Sequence, residues 1–221
     1  MRTILVLNAK GGSGKTTLAT NIAGYFADRG EAVALADFDI QHSSLDWLAA
    51  RGEAWGEHRP AIRGIDAASQ ALKVPSGVDV LVMDAPAATH ADALGTLVKR
   101  AQTIVIPVIP SPVDMRAAEH FIAELMAVRV VERHEVKIAT VANRAREGTQ
   151  AMTGLGEYLE ALKLPGGRKL PFLATLRASV NYLKAAERGL SIFEFAPAAT
   201  QVDRDCWAPL TRWLASSRSL P

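Results

Sequence analysis

Residues 7–17 read LNAKGGSGKTT, with glycines at 11, 12 and 14 and two lysines, Lys10 and Lys15. The preceding RTILVLN (2–8) is apolar and short, as a buried strand is, and the stretch that follows has helical character. A glycine loop between a strand and a helix is the setting for phosphate binding. Glycines let successive backbone N–H groups turn toward one anion at the positive end of the helix. Gly11, Gly12, Ser13 and Gly14 would supply amides, and Thr17 continues the first helical turn. Lys15 would add a mobile charge at the β/γ-phosphates and Thr16 a hydroxyl for Mg²⁺.

Working outward, AVALAD (32–37), VDVLVMDA (78–85), TIVIPV (103–108) and VKIATVAN (136–143) also read as strands, with a shorter one inside RKLPFLATL (168–176). They are apolar throughout, as central strands of a parallel sheet are. Helical patterns fill 15–29, 90–101, 114–134, 149–163, 179–188 and 199–215. This alternation predicts an α/β fold: a doubly wound, mainly parallel sheet flanked by helices. The linker-like LPGGRKLP (164–171) is too short to separate domains, so a single domain over 1–221 is expected.

The 221 residues are 49% hydrophobic and 22% charged, an ordinary globular balance. One cysteine, Cys206, excludes an internal disulfide and a cysteine-held cluster, and fits a reducing cytoplasm. No apolar run approaches the ~20 residues of a membrane-spanning helix, and the N-terminus reads as a strand, not a signal peptide. The net charge of +2 conceals an uneven distribution, because nine basic residues face four acids from residue 161 onward. Either a solvated surface or an anionic partner accounts for that excess.

Two aspartates, Asp37 and Asp39, follow the second strand, and Asp84 closes another. Carboxylates at the C-terminal ends of parallel strands lie where ligands bind in this topology. There they would hold a metal-bound water or orient an attacking one. Asn143 and Arg144 end a further strand, and a side-chain amide suits the edge of a base.

The loop departs from G-x-x-x-x-G-K-[ST], since Ala9 stands at the first glycine position. The string KGGSGKTT instead resembles the deviant phosphate loop (deviant Walker A) of the ParA/MinD family of P-loop ATPases. The resemblance extends to D-x-D-x-Q as Asp37, Asp39 and Gln41, with Ile40 where proline is usual, and to D-x-P as Asp84-Ala85-Pro86. PVIPSPVD (107–114) resembles the short plasmid-partition members. The family implies ATP and Mg²⁺ as ligands and weak hydrolysis. Lys10 would be the signature lysine that reaches across an ATP-sandwiched homodimer to the neighbour's phosphates. Asp39 would orient water, with Thr16, Asp39 and Asp84 on the metal side. Asn143 would read adenine, with Arg144 and the LPFL segment at Pro171 nearby.

Relatives divide by partner. Partition members bind DNA non-specifically and are stimulated by a ParB-like or cargo-adaptor protein, MinD-type members bind membrane, and iron–sulfur relatives need interface cysteines. Cys206 alone excludes the last group. At the C-terminus, Asp203, Asp205 and Pro209 interrupt a stripe of Val202, Trp207, Leu210, Trp213 and Leu214. The proline would end or start a helix there, which disfavours membrane binding. For DNA, Arg177, Lys184 and Arg188 are spaced for one helix face, with Arg204 and Arg212 extending it. The expectation is a cytoplasmic, nucleoid-associated ATPase that positions a plasmid, a chromosome or a protein assembly such as a carboxysome. Membrane-surface positioning and a metabolic P-loop ligase are the competing readings.

Overall fold

The computed structural model describes residues 1–146 and 148–221, and Glu57 by its backbone only. Seven strands form one sheet: β1 (Arg2–Val6), β2 (Val33–Asp37), β3 (Ile62–Asp66), β4 (Val80–Asp84), β5 (Thr103–Val108), β6 (Lys137–Ala145) and β7 (Phe172–Arg177). Their order is β3-β2-β4-β1-β5-β6-β7, and every pairing is parallel. The helices are α1 (Lys15–Asp28), α2 (Ser43–Trp55), α3 (Ala91–Val98), α4 (Pro112–Met126), α5 (Arg129–Glu132), α6 (Gln150–Ala161), α7 (Asn181–Ala186) and α8 (Gln201–Ala215).

Side chains alternate across a strand, so β1 feeds two cores. Ile4 and Val6 pack with Leu18, Ile22 and Phe26 of α1 and with Trp207, Leu210 and Leu214 of α8. Leu5 and Leu7 face the opposite core, with Leu94 and Leu97 of α3, Phe121 and Leu125 of α4, and Leu155 and Leu159 of α6. Burial on both faces is why the central strands show no polar alternation.

Two elements lie outside the sequence expectation. β3 is an edge strand in which Arg63 and Gly64 are exposed. α2 begins at His42 with no side-chain cap from its own first turn. Its cap comes instead from Asp37 at the end of β2, whose Oδ2 accepts the Ser44 N–H at 2.9 Å and the Ser44 hydroxyl at 2.7 Å.

Pro209 corrects a sequence expectation, since α8 runs through it from Gln201 to Ala215. A proline inside a helix lacks one N–H donor and costs ~3 kcal/mol. Complete burial of Trp207, Leu210 and Leu214 on the sheet outweighs that loss. The apolar side of α8 is therefore internal. Among the described residues no helix is long and apolar enough to cross a membrane.

Candidate functional site

The C-terminal ends of β1, β2 and β4 bring the loop and the acids together, with Val6 and Asp37 both in register with Asp84. The loop is held from several directions. Asn8 donates to the Pro107 carbonyl at 2.7 Å and accepts the Lys10 N–H at 3.0 Å. Ala9 offers its carbonyl to the Ala88 N–H at 2.8 Å, joining the loop to the segment after β4. Gly14 enters α1 with φ 91, a left-handed conformation that favours glycine. No side chain caps α1 and no acid occupies its first turn, so its amides face the loop without a competing charge.

Lys15 is nearly buried, and its ammonium donates to the Lys10 carbonyl at 3.3 Å. Burial lowers its pKa, and the nearby charges of Asp84 and Asp39 oppose that shift. The Lys10 ammonium makes no hydrogen bond or ion pair among the described residues.

Asp84 carries the strongest electrostatic signature. Burial pushes its carboxyl up to about 7, Asp37 and Asp39 add to the rise, and Thr16 and Lys15 oppose it. The Thr16 hydroxyl lies close enough to favour the ionised form, yet neither Asp84 oxygen makes a well-formed hydrogen bond. A buried carboxylate with two unsatisfied oxygens, beside a hydroxyl and an ammonium, fits the protein side of a Mg²⁺–phosphate complex. Among the described residues no group of three or more His, Cys, Asp or Glu could hold a metal ion. Mg²⁺ that keeps waters and phosphate oxygens needs no such cage.

The other two acids differ in duty. Asp37 is fully buried and devoted to capping α2 and to the Asp39 N–H, which it accepts at 2.9 Å. Asp39 is half-buried, accepts the Gln41 N–H at 3.0 Å and lies within electrostatic reach of Lys15 and Asp84. Ile40 beside it is 84% exposed.

Asn143 is buried beneath the loop. Its Nδ2 donates to the Ser13 carbonyl at 2.8 Å and its Oδ1 accepts the Arg144 N–H at 3.0 Å, so its amide supports the loop directly. It also lines a cavity of about 490 Å³ with Thr17, Arg144, Arg177, Val180 and Leu183. That volume and mixed lining suit a heteroaromatic ring.

Pro171 needs correction. It precedes β7, whose C-terminal end, at Arg177, is the end that reaches this cavity, six residue steps or ~20 Å of strand away. The cavity wall opposite Asn143 comes from residues 177–180, 182 and 183. Only its place after a strand flanking Asn143 marked that stretch in the sequence.

The basic set is also rearranged. Arg177 ends β7, and Arg188 lies beyond α7, so with Lys184 they share no helix face. Arg177 Nε stands 2.7 Å from Oδ1 of the fully buried Asp203. Arg188 stacks over Phe195 at 5.4 Å. Arg204 donates to the Pro197 carbonyl at 2.7 Å and to Gln201 at 2.6 Å, and Arg212 donates to the Ala208 carbonyl at 3.1 Å. Lys184 is exposed.

Comparison with known proteins agrees with this fold. Residues 4–192 match the CobQ/CobB/MinD/ParA nucleotide binding domain family. The chain is 32% identical over 202 residues to the maintenance of carboxysome distribution protein A of Gloeobacter kilaueensis, covering 88% of this chain and 85% of that one. It is 26% identical over 229 residues to the chromosome-partitioning ATPase Soj of Thermus thermophilus, covering 90% of each. The fold superposes on an ATP complex of Cyanothece McdA with a TM-score of 0.65 at 16% identity, over 95% of this chain and 96% of that one.

Proposed function

The chain belongs to the CobQ/CobB/MinD/ParA nucleotide binding domain family, and from that premise we propose that it is an ATP-driven positioning protein. ATP sandwiches two copies, the dimer holds DNA non-specifically, and a cargo-bound adaptor of ParB-like role accelerates a slow hydrolysis that releases it. The cargo reading favoured by the relatives is a protein assembly of the carboxysome kind, ahead of a plasmid or chromosome. The place of action is the cytoplasm, on the nucleoid.

Each residue has a stated part. The amides of Gly11 to Thr17 and the Lys15 ammonium bind phosphates. Thr16 and Asp84 hold the metal side, where Mg²⁺ would neutralise charge between phosphate oxygens. Asp39 orients the attacking water. Asn143 steadies the loop and meets the base, with Arg144 beside it. Lys10 completes the neighbour's site in trans, as an arginine finger does.

The observation that carries this reading is the pair of lysines. Lys15 is drawn into the loop, whereas the Lys10 ammonium has no partner among the described residues of its own chain. Membrane attachment through the tail has less support, because Trp207, Leu210 and Leu214 are fully buried. Light scattering with ATP tests the proposal. Wild type should elute as a dimer with ATP and a monomer with ADP. Lys10→Ala should bind ATP and remain monomeric, and Lys15→Ala should lose nucleotide. A Lys10→Ala protein that dimerises and hydrolyses normally would favour a metabolic P-loop enzyme.

A further inference from the structure

The C-terminal positive excess divides into two groups in the fold, and the less expected group, which Lys137 joins, is the better placed to bind a polyanion. Four of the five basic residues near α7 and α8 already have internal engagements. Arg177 is paired with Asp203, Arg188 is stacked on Phe195, and Arg204 and Arg212 donate to carbonyls. The second group lies at the opposite end of the sheet, where β6 and β7 begin.

There Lys137, Arg168, Lys169 and Arg218 line one groove together with Trp213, and none of the lining residues is acidic. A tight hairpin presents two of these cations. Leu164 donates its N–H to the Arg168 carbonyl at 2.7 Å, Gly167 donates to Leu164 at 3.0 Å, and Gly166 and Gly167 turn with φ 82 and φ 81. Lys163 and Lys169 stand opposite each other across an antiparallel bridge, and both are exposed. Like charges directly opposite are destabilising. Among the described residues, none of these five side chains has an ion pair or hydrogen bond to relieve that repulsion. An external anion would do so.

The geometry points to this groove as the site where the chain holds the phosphate backbone of double-stranded DNA. The inference rests on the DNA-binding reading above and locates it away from the nucleotide end. Phosphate contacts by Lys and Arg need no base reading, which is what non-specific binding requires. A lipid surface fits less well, because the exposed large apolar residues (Met1, Ile40, Val113, Val180, Leu183 and Val202) do not line the groove.

The test is retention of the full chain, with ATP, by a random-sequence DNA duplex over a range of salt. Two combined variants are compared with wild type. One is Lys137→Gln/Arg168→Gln/Lys169→Gln/Arg218→Gln, and the other is Lys184→Gln/Arg188→Gln/Arg212→Gln. The groove variant should bind ATP normally, lose DNA affinity about tenfold or more at physiological salt, and show a log–log salt slope shallower by about 3 to 4. The single variants Arg168→Gln and Lys169→Gln, on an exposed hairpin, should each reduce the slope by about 1 and guard against misfolding of the combined one. A loss confined to the α7/α8 variant would overturn the groove and keep the DNA reading. A wild type that ignores duplex DNA would overturn both. If anionic phosphatidylglycerol vesicles, and not DNA, were released by the groove substitutions, the groove would be a membrane contact and the inference would fail.

Discussion

Asn143 and Gly14 stand so close that no side chain fits between them: a Cβ at residue 14 would lie 2.1 Å from Asn143 Nδ2. The glycine serves the backbone turn and also admits the amide that holds the Ser13 carbonyl. Gly14→Ala should push Asn143 aside, strain a φ of 91 and release the loop. Isothermal titration should show ATP affinity reduced by about 100-fold or more, with ~1–3 kcal/mol lost from folding. A variant that binds ATP as wild type does would remove Asn143 from any loop-holding role.

Asp84 gives the protein a distinctive pH dependence. Its carboxyl titrates near 7 in the fold, chiefly through burial, against 3.8 in an open chain. Below about pH 4 both states are protonated and the site carries no penalty. As pH rises toward 7 the unfolded chain has already released its proton while the folded one retains it, so stability declines across that window and then levels. The gap corresponds to at most about 4 kcal/mol. Without nucleotide, Asp84→Asn should raise Tm by several degrees at pH 8, with the gain vanishing near pH 4, and should abolish Mg²⁺-dependent ATP retention. Circular-dichroism melts across that range check the sign.

Arg51 on α2 and Glu194 form a buried bidentate pair at 2.5 and 3.0 Å. Arg51 also donates to the Gly189 and Pro60 carbonyls, and Glu194 accepts the N–H and hydroxyl of Ser191. Removing one partner strands a buried charge. Glu194→Gln should cost about 3–5 kcal/mol in urea unfolding, and Arg51→Met/Glu194→Gln should recover part of it. A Glu194→Gln protein as stable as wild type would mean that α2 is held by packing alone.

Pro209 offers the opposite sign. It is exposed, so Pro209→Ala removes no core contact and restores the missing N–H inside α8. The gain should be about 1–2 kcal/mol after allowing for the freer unfolded chain, read as a higher urea midpoint.

The site was most legible where local chemistry and ligand chemistry coincide. LNAKGGSGKTT carries its turn, its charge and its helix start in one stretch, and Asp84 ends an apolar strand beside it. The rest depended on partners far away in the chain. α2 takes its cap from Asp37, which a helix-start pattern cannot reveal. β3 alternates too little and carries Gly64 because it is an edge strand packed by Leu45 and Leu48 of α2. Spacing puts Arg177 on a helix, whereas the fold ends β7 there and pairs its side chain with Asp203, more than twenty residues later. Pro171 was mislaid because a short strand gives no sign of which end meets the ligand.

The hydrogen bond from Lys15 to the Lys10 carbonyl couples the ammonium of one lysine to the backbone of the other. Phosphate oxygens entering the loop would compete with that carbonyl for the same ammonium, so capture of a triphosphate would release the Lys10 peptide, and in the proposed dimer that frees it for the second subunit. Occupancy of one cradle would thus be announced outward through a single peptide plane, a signal relay that requires no domain closure.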